Sequence, residues 1–120
     1  MTTYNAAQEM TEAELVDSII ELAQRLGWMA VHSRPARLAA GYRTAIQGDK
    51  GFVDLVLARH GRVIFAECKS EKGQLSGEQY NWQCELEGVP GKWTWKEHPE
   101  YYIWRPSDWL SGEVERLLKE

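Results

Sequence analysis

Apolar residues at Leu15, Val16, Ile19, Ile20, Leu22, Ala23 and Leu26 recur at three- and four-residue steps, the spacing of one helix face. Thr11 stands just ahead of them as a cap, Glu14 three residues later completes a capping box, and Gly27 is a natural stop. The period then shortens. Trp28 to Ser33, Phe52 to Ala58 and Arg62 to Lys69 read as strands, the last two antiparallel and joined by a tight turn at His60-Gly61. Pro35 to Asp49 has no clean period and contains two glycines, so a loop is expected there. Ser76 can cap a helix over Gly77 to Glu87, ending near Gly88 or Pro90. Lys92 to Lys96 and Tyr101 to Trp104 read as late strands around a charged turn at Glu97-His98-Pro99-Glu100. Asp108 to Lys119 reads as helical with a break at Gly112. The order of elements predicts one α/β domain with a mixed central β-sheet flanked by helices, over residues 11–120 after an N-terminal tail of residues 1–10.

Composition narrows this only slightly. A length of 120 residues suits a single domain, and 43% hydrophobic residues suits a globular chain. No apolar run approaches the ~20 residues of a membrane span. Met1 to Asn5 has neither the basic flank nor the apolar core of a secretory signal, so a cytoplasmic protein with no membrane partner is expected. Two cysteines, Cys68 and Cys84, are too few for a disulfide framework and lack metal-site spacing; both are expected to pack.

The net charge of −4 argues against binding nucleic acid by bulk electrostatics. A local patch is a different matter. Between His32 and Lys50, the charges of Arg34, Arg37, Arg43 and Lys50 are opposed only by Asp49. Arginine suits bidentate phosphate contact, so His32, Ser33, Arg34, Arg37, Arg43 and Lys50 form the candidate DNA-contact set. No phosphate-binding glycine loop, zinc ribbon or helix-turn-helix pattern is present.

The candidate chemistry lies in Gly51-Phe52-Val53-Asp54-Leu55 and Phe65-Ala66-Glu67-Cys68-Lys69. Asp54 interrupts an apolar run, where a carboxylate buried alone is costly. Glu67 and Lys69 are two apart and share a strand face with Val63 and Phe65, whereas Cys68 faces away. Two carboxylates can hold a hard divalent cation, and a lysine beside them can orient or activate water or offset charge on a phosphate. The set suits phosphodiester hydrolysis. An internal Glu67-Lys69 salt bridge is the plain alternative, and it leaves Asp54 without a reason. Glu12 lies at the edge of the buried helix stripe and is the candidate third carboxylate; Glu14 lies on the polar side and has its cap to make. Gln79, early on the next helix, could bond the attacking water, a phosphate or the lysine.

With these residues in order, the chain resembles the virus-type replication-repair nuclease (VRR-NUC) domains of the restriction-endonuclease-like superfamily, known by the PD-(D/E)xK motif. The resemblance runs from about Thr11 to Trp109. It includes Gly27-Trp28, His32, Gly51 to Leu55, Phe65 to Ser70, Gly73 to Gln79, Trp82 and the closing Trp104-Arg105-Pro106-Ser107-Asp108-Trp109. One position departs: Val53 stands where the family commonly has proline, which shapes the strand but supplies no ligand.

The resemblance implies a restriction-endonuclease-like core and a Mg2+ or Mn2+ dependent DNA endonuclease. Its catalytic set would be Glu12, Asp54, Glu67, Lys69 and Gln79. Asp54 and Glu67 would hold the metal with the backbone carbonyl of Cys68, and Glu12 would assist directly or through water. Lys69 and Gln79 would position or activate the hydrolytic water. Small members, from phages or bacteria, look like Holliday-junction resolvases and act as homodimers on branched or other double-stranded DNA, in the bacterial or host cytoplasm. A less selective nicking or restriction-type endonuclease is the alternative enzyme. A DNA-binding accessory protein without turnover is the alternative from another class; the intact acidic set and Lys69 argue against it.

Overall fold

The Thr11 hydroxyl accepts from the Glu14 N–H and the Glu14 carboxylate accepts from the Thr11 N–H, each at 3.1 Å. This reciprocal cap starts the long helix α2, Glu12–Arg25, where the apolar pattern predicts it. Ahead of it lies a single helical turn, α1, Ala6–Glu9, capped by Asn5. It falls in the stretch read as a tail, because one turn is too short to show a period. Gly27, at φ +88°, closes α2. The Gly27 and Trp28 N–H groups donate back to the carbonyls of Gln24 and Ala23, which the helix leaves open.

The computed structural model describes residues 5–33, 36–38, 41–43, 47–88 and 99–120. The strands are β1 (Met29–His32), β2 (Ala36–Leu38), β3 (Gly41–Arg43), β4 (Leu55–Arg59), β5 (Arg62–Cys68) and β6 (Glu100–Trp104). The remaining helices are α3 (Gly77–Glu87), α4 (Pro106–Leu110) and α5 (Glu113–Lys119). The expected strand over Lys92 to Lys96 lies outside the described residues. The loop expected over Pro35 to Asp49 is corrected in part: β2 and β3 pair antiparallel, with Arg37 opposite Tyr42. Three-residue strands are too short for alternation to reveal them. The C-terminal region starts as a helix at Pro106, two residues before the predicted Asp108, and breaks at Gly112 (φ +84°) as expected.

A mixed four-stranded sheet runs in the order β1-β4-β5-β6, so the fold is α/β. β1 and β5 each pair antiparallel with β4, and β6 pairs parallel with β5 after the α3 crossover. The β4–β5 hairpin turns through His60 and Gly61, both at positive φ, and Arg59 faces Arg62. Two such residues match the twist of the flanking strands.

Alternation decides which face is which. Leu55, Leu57, Ile64, Ala66, Cys68 and Trp104 point to one face and are buried under Leu15, Val16, Ile19 and Ala23 of α2 and Val114 and Leu118 of α5. Phe65 and Glu67 point to the other face. There Phe52 meets Phe65 and Trp82 of α3 edge-on, with ring centroids 6.1 and 4.9 Å apart. The main core therefore lies on the Cys68 side, and Glu67 belongs to the α3 side. Among the described residues no helix is long and apolar enough to cross a membrane.

Candidate functional site

The hairpin turn sets the two carboxylates against each other. Arg59 faces Arg62 and Leu55 faces Ala66, so one further step of the same register sets Asp54 opposite Glu67. Opposite residues on antiparallel strands bring their side chains together, and like charges there are unfavourable. The ladder stops before this pair is made. The strand predicted from Phe52 begins instead at Leu55, because Phe52 turns to pack on α3 and the Asp54 side chain takes over a ladder bond. Asp54 Oδ2 accepts from the Cys68 N–H at 2.8 Å, while the Asp54 carbonyl accepts from the Ser33 N–H at 2.9 Å. Asp54 is thus a strand-end residue that joins β1 to β5 across the mouth of the sheet.

Glu67 is 1% exposed. Its Oε1 accepts from Gln79 Nε2 at 2.8 Å, and its Oε2 is buried with no hydrogen-bond partner among the described residues. Burial pushes this carboxyl up to about 9; neighbouring Asp54 pushes the same way, Lys69 opposes them, and Glu12 adds a further upward push. All three neighbours therefore act on the charge of Glu67. Glu12 is exposed at the first turn of α2, where its Oε1 accepts from the Ser70 N–H at 3.2 Å. Glu14 keeps to its cap.

Lys69 is half-buried and follows Glu67 on the same strand face; its N–H donates to the Trp104 carbonyl at 3.0 Å. Among the described residues it makes no ion pair with Glu67. The plain salt-bridge alternative is therefore absent from the geometry, and Glu67 keeps an oxygen that nothing satisfies. Buried polar atoms are almost always bonded, so an orphaned carboxylate oxygen beside a second carboxylate calls for a proton or a cation.

Gln79 is committed at both ends. Its Oε1 accepts from the Ser76 N–H at 2.9 Å, and the Ser76 hydroxyl accepts from the Gln79 N–H at 3.1 Å. With the amide oxygen fixed in this cap, the amide nitrogen must face Glu67. Gln79 aims Glu67, a use that differs from the expected bond to water, phosphate or lysine. The placement of α3 depends on Gly51, at φ +87°. A Cβ there would lie 2.6 Å from the Glu78 carbonyl carbon and 2.8 Å from the Gln79 nitrogen. The Trp82 indole donates to the Lys50 carbonyl at 3.0 Å and pins the same segment.

These residues fit a divalent cation. Asp54 and Glu67 supply hard oxygen donors, and the Cys68 carbonyl, on the same strand edge as the N–H that meets Asp54, is the natural third. The Cys68 thiol is buried in the core, and burial pushes it up, away from any nucleophilic role. Among the described residues no three His, Cys, Asp or Glu side chains form a cation cage by themselves, so the remaining donors would be backbone carbonyls or water.

The candidate DNA-contact residues are less concentrated. His32 and Ser33 are half-buried at the end of β1, beside Asp54. Arg37 and Arg43 fall on β2 and β3, and Arg34 lies outside the described residues. Lys50 is exposed, but it shares a hollow of about 680 Å³ with Asp49, Glu78 and Glu85, whose charges offset its own. That hollow contains neither Asp54 nor Glu67, and its acidic lining does not suit a phosphate.

Two residues near the site are not in the candidate set. Tyr101 lies on β6 opposite Phe65, on the face of Glu67, and its hydroxyl is buried without a partner among the described residues. Alternation within Tyr101 to Trp104 could have placed it there; Arg105, which binds the turn after Lys69, could not have been found that way. No family model matches this chain, and no curated protein matches it.

Proposed function

We propose that this chain is a Mg2+ or Mn2+ dependent DNA endonuclease with a restriction-endonuclease-like core. The observation that carries the reading is the buried Glu67 with an unpartnered oxygen, set opposite Asp54 and followed on its own face by Lys69. The motif resemblance from Thr11 to Trp109 points to the same chemistry. When bound, the cation would neutralise the two carboxylates, polarise a phosphodiester oxygen and make water more acidic.

The chain's own groups would do the rest. Asp54 and Glu67 would hold the cation, and Glu67 would give up to water the proton that burial keeps on it. Gln79 fixes the rotamer of Glu67 from α3. Lys69 orients the attacking water and offsets charge growing on the phosphate. Glu12, exposed at the mouth, would act on the same water or cation from α2. Ser33 bonds the Asp54 carbonyl, and the basic residues that follow it in sequence, Arg34, Arg37 and Arg43, are the proposed phosphate contact.

Branched DNA is the proposed substrate, with Holliday-junction resolution by a homodimer in the cytoplasm of a bacterium or of a phage host. A pair of sites suits paired nicks. Among the described residues β1 is an edge strand, with Met29 and Val31 79% and 58% exposed, an apolar border suited to a second copy. The test is a cleavage panel of four-way junction, flap, single-stranded and linear duplex DNA with Mg2+, Mn2+ or EDTA, alongside size measurement in solution. Symmetric nicks in the junction, lost in EDTA and in Asp54→Asn, are expected; the asparagine amide keeps an oxygen for the Cys68 N–H, so the fold should hold. Equal cutting of linear duplex would favour a less selective endonuclease. Binding without cutting under every condition would overturn the enzyme reading.

A further inference from the structure

The strand that carries Glu67 and Lys69 makes its last ladder bond at the Lys69 N–H. The chain then leaves the sheet in a turn that a single guanidinium holds. Arg105 Nη1 donates to the carbonyls of Gly73 at 2.6 Å, Ser70 at 2.8 Å and Glu71 at 3.3 Å. Arg105 is itself fixed. It directly follows Trp104, whose carbonyl accepts from Lys69, and its N–H donates to Asp108 Oδ2 at 2.8 Å. The neighbouring Ser107 N–H donates back to Glu71 Oε1 at 3.3 Å.

Among the described residues no carboxylate pairs with the Arg105 guanidinium, so its charge is directed at backbone carbonyls. The turn it holds is close-packed: a Cβ on Gly73 would lie 2.7 Å from Ser70 Oγ. Ser70 is gripped from two sides, its carbonyl by Arg105 and its N–H by Glu12. One arginine thus links the exit of β5, the start of α4 and the first turn of α2.

We propose that Arg105 is a positioning residue for the hydrolytic site. By fixing the turn from Ser70 to Gly73, it holds the Lys69 backbone and the Glu12–Ser70 contact in place against Asp54 and Glu67. The assignment rests on the nuclease reading above. It separates Arg105 from residues that touch the reacting atoms, because its bonds go to backbone carbonyls.

The test uses the full chain, a four-way junction with Mg2+, and the variants Arg105→Ala and Arg105→Lys. A displacement of about 1 Å in a catalytic group can cost about 10²-fold in rate, so R105A should lose about that much in single-turnover cleavage at saturating DNA and metal. Its DNA dissociation constant should stay close to that of the unmodified protein. Amide exchange at Ser70 should accelerate in R105A. R105K should recover part of the rate, and millimolar guanidinium should partly rescue R105A but not D54N. A folded R105A that cuts at the normal rate, or with Ser70 exchange unchanged, would overturn the assignment. So would a loss removed entirely by more DNA, which would make Arg105 a DNA contact. If R105A does not fold, R105K at full rate with unchanged Ser70 exchange overturns the assignment, and a slowed R105K with faster exchange supports it. An unmodified protein that cuts no DNA overturns the nuclease reading itself, whereas a cutting protein indifferent to Arg105 overturns this inference alone.

Discussion

Two carboxyl groups as close as Asp54 and Glu67 ionise together only when something positive joins them, and this has a consequence for pH. Without a cation, Glu67 titrates near 9 in the folded chain against an ordinary value of 4.5. Its folded value is raised, so its contribution to stability is complete below about 4.5 and is lost as pH rises towards about 9. In EDTA, the melting temperature should fall across that window more steeply for the unmodified protein than for Glu67→Gln, and Mg2+ should reverse the difference; parallel curves would show that Glu67 is not strained by burial. Lys69 makes a separate forecast. Lys69→Met should still bind metal and DNA yet cut very slowly in single turnover, and recovery by saturating metal would reduce the lysine to a charge balance. At this scale the sequence was informative where geometry is local. A two-residue turn and strict alternation suffice to bring Asp54 to Glu67. They say nothing of Gln79, whose bond to Glu67 depends on where α3 lands.

Among the elements, α2 and the β4–β5 hairpin were legible because a full capping box, a four-turn apolar stripe and a tight turn each specify one local answer. α1 and the β2–β3 pair were not, since three or four residues carry no period. The placement of α3 depends on contact more than on pattern: its apolar residues do not form a stripe, and Gly51 admits its first turn to the sheet. Gly51→Ala should therefore do two things at once. It should cost about 1–3 kcal/mol through a strained positive φ and an overfilled contact, and it should slow cleavage by moving Gln79 off Glu67. Urea unfolding with single-turnover rates on the same variant checks both; an intact rate in a destabilised protein would detach α3 placement from the chemistry.

Across the whole molecule, the site and a tryptophan–arginine cluster sit at opposite ends of the sheet. At the turn end, the Trp28 indole donates to the Leu118 carbonyl at 3.0 Å, and the guanidinium groups of Arg59 and Arg62 lie 4.6 and 5.3 Å from its ring. Arg62 also bonds Glu100 at 2.8 Å and the Leu117 carbonyl at 3.1 Å. This cluster ties α2, the hairpin and α5 together across 90 residues of chain, a distance no local pattern spans. Trp28→Ala should cost about 3–5 kcal/mol while leaving Mg2+ affinity unchanged at temperatures where the variant is folded. Urea unfolding with calorimetric metal titration checks the separation, and a matching loss of metal affinity would show that the two ends are coupled.

The two-residue turn at His60-Gly61 also limits how this chain can change in length. Asp54 lies five residues before Arg59 and Glu67 five after Arg62, so the two carboxylates meet by count. One residue inserted within either strand would send its carboxylate to the opposite face, into the apolar layer against α2. Insertions at the turn tip leave that count to the strands and should be far better tolerated. A library of single-residue insertions from Asp54 to Glu67 should therefore show a narrow permissive window at the hairpin tip, flanked on both sides by positions where neither folding nor function survives.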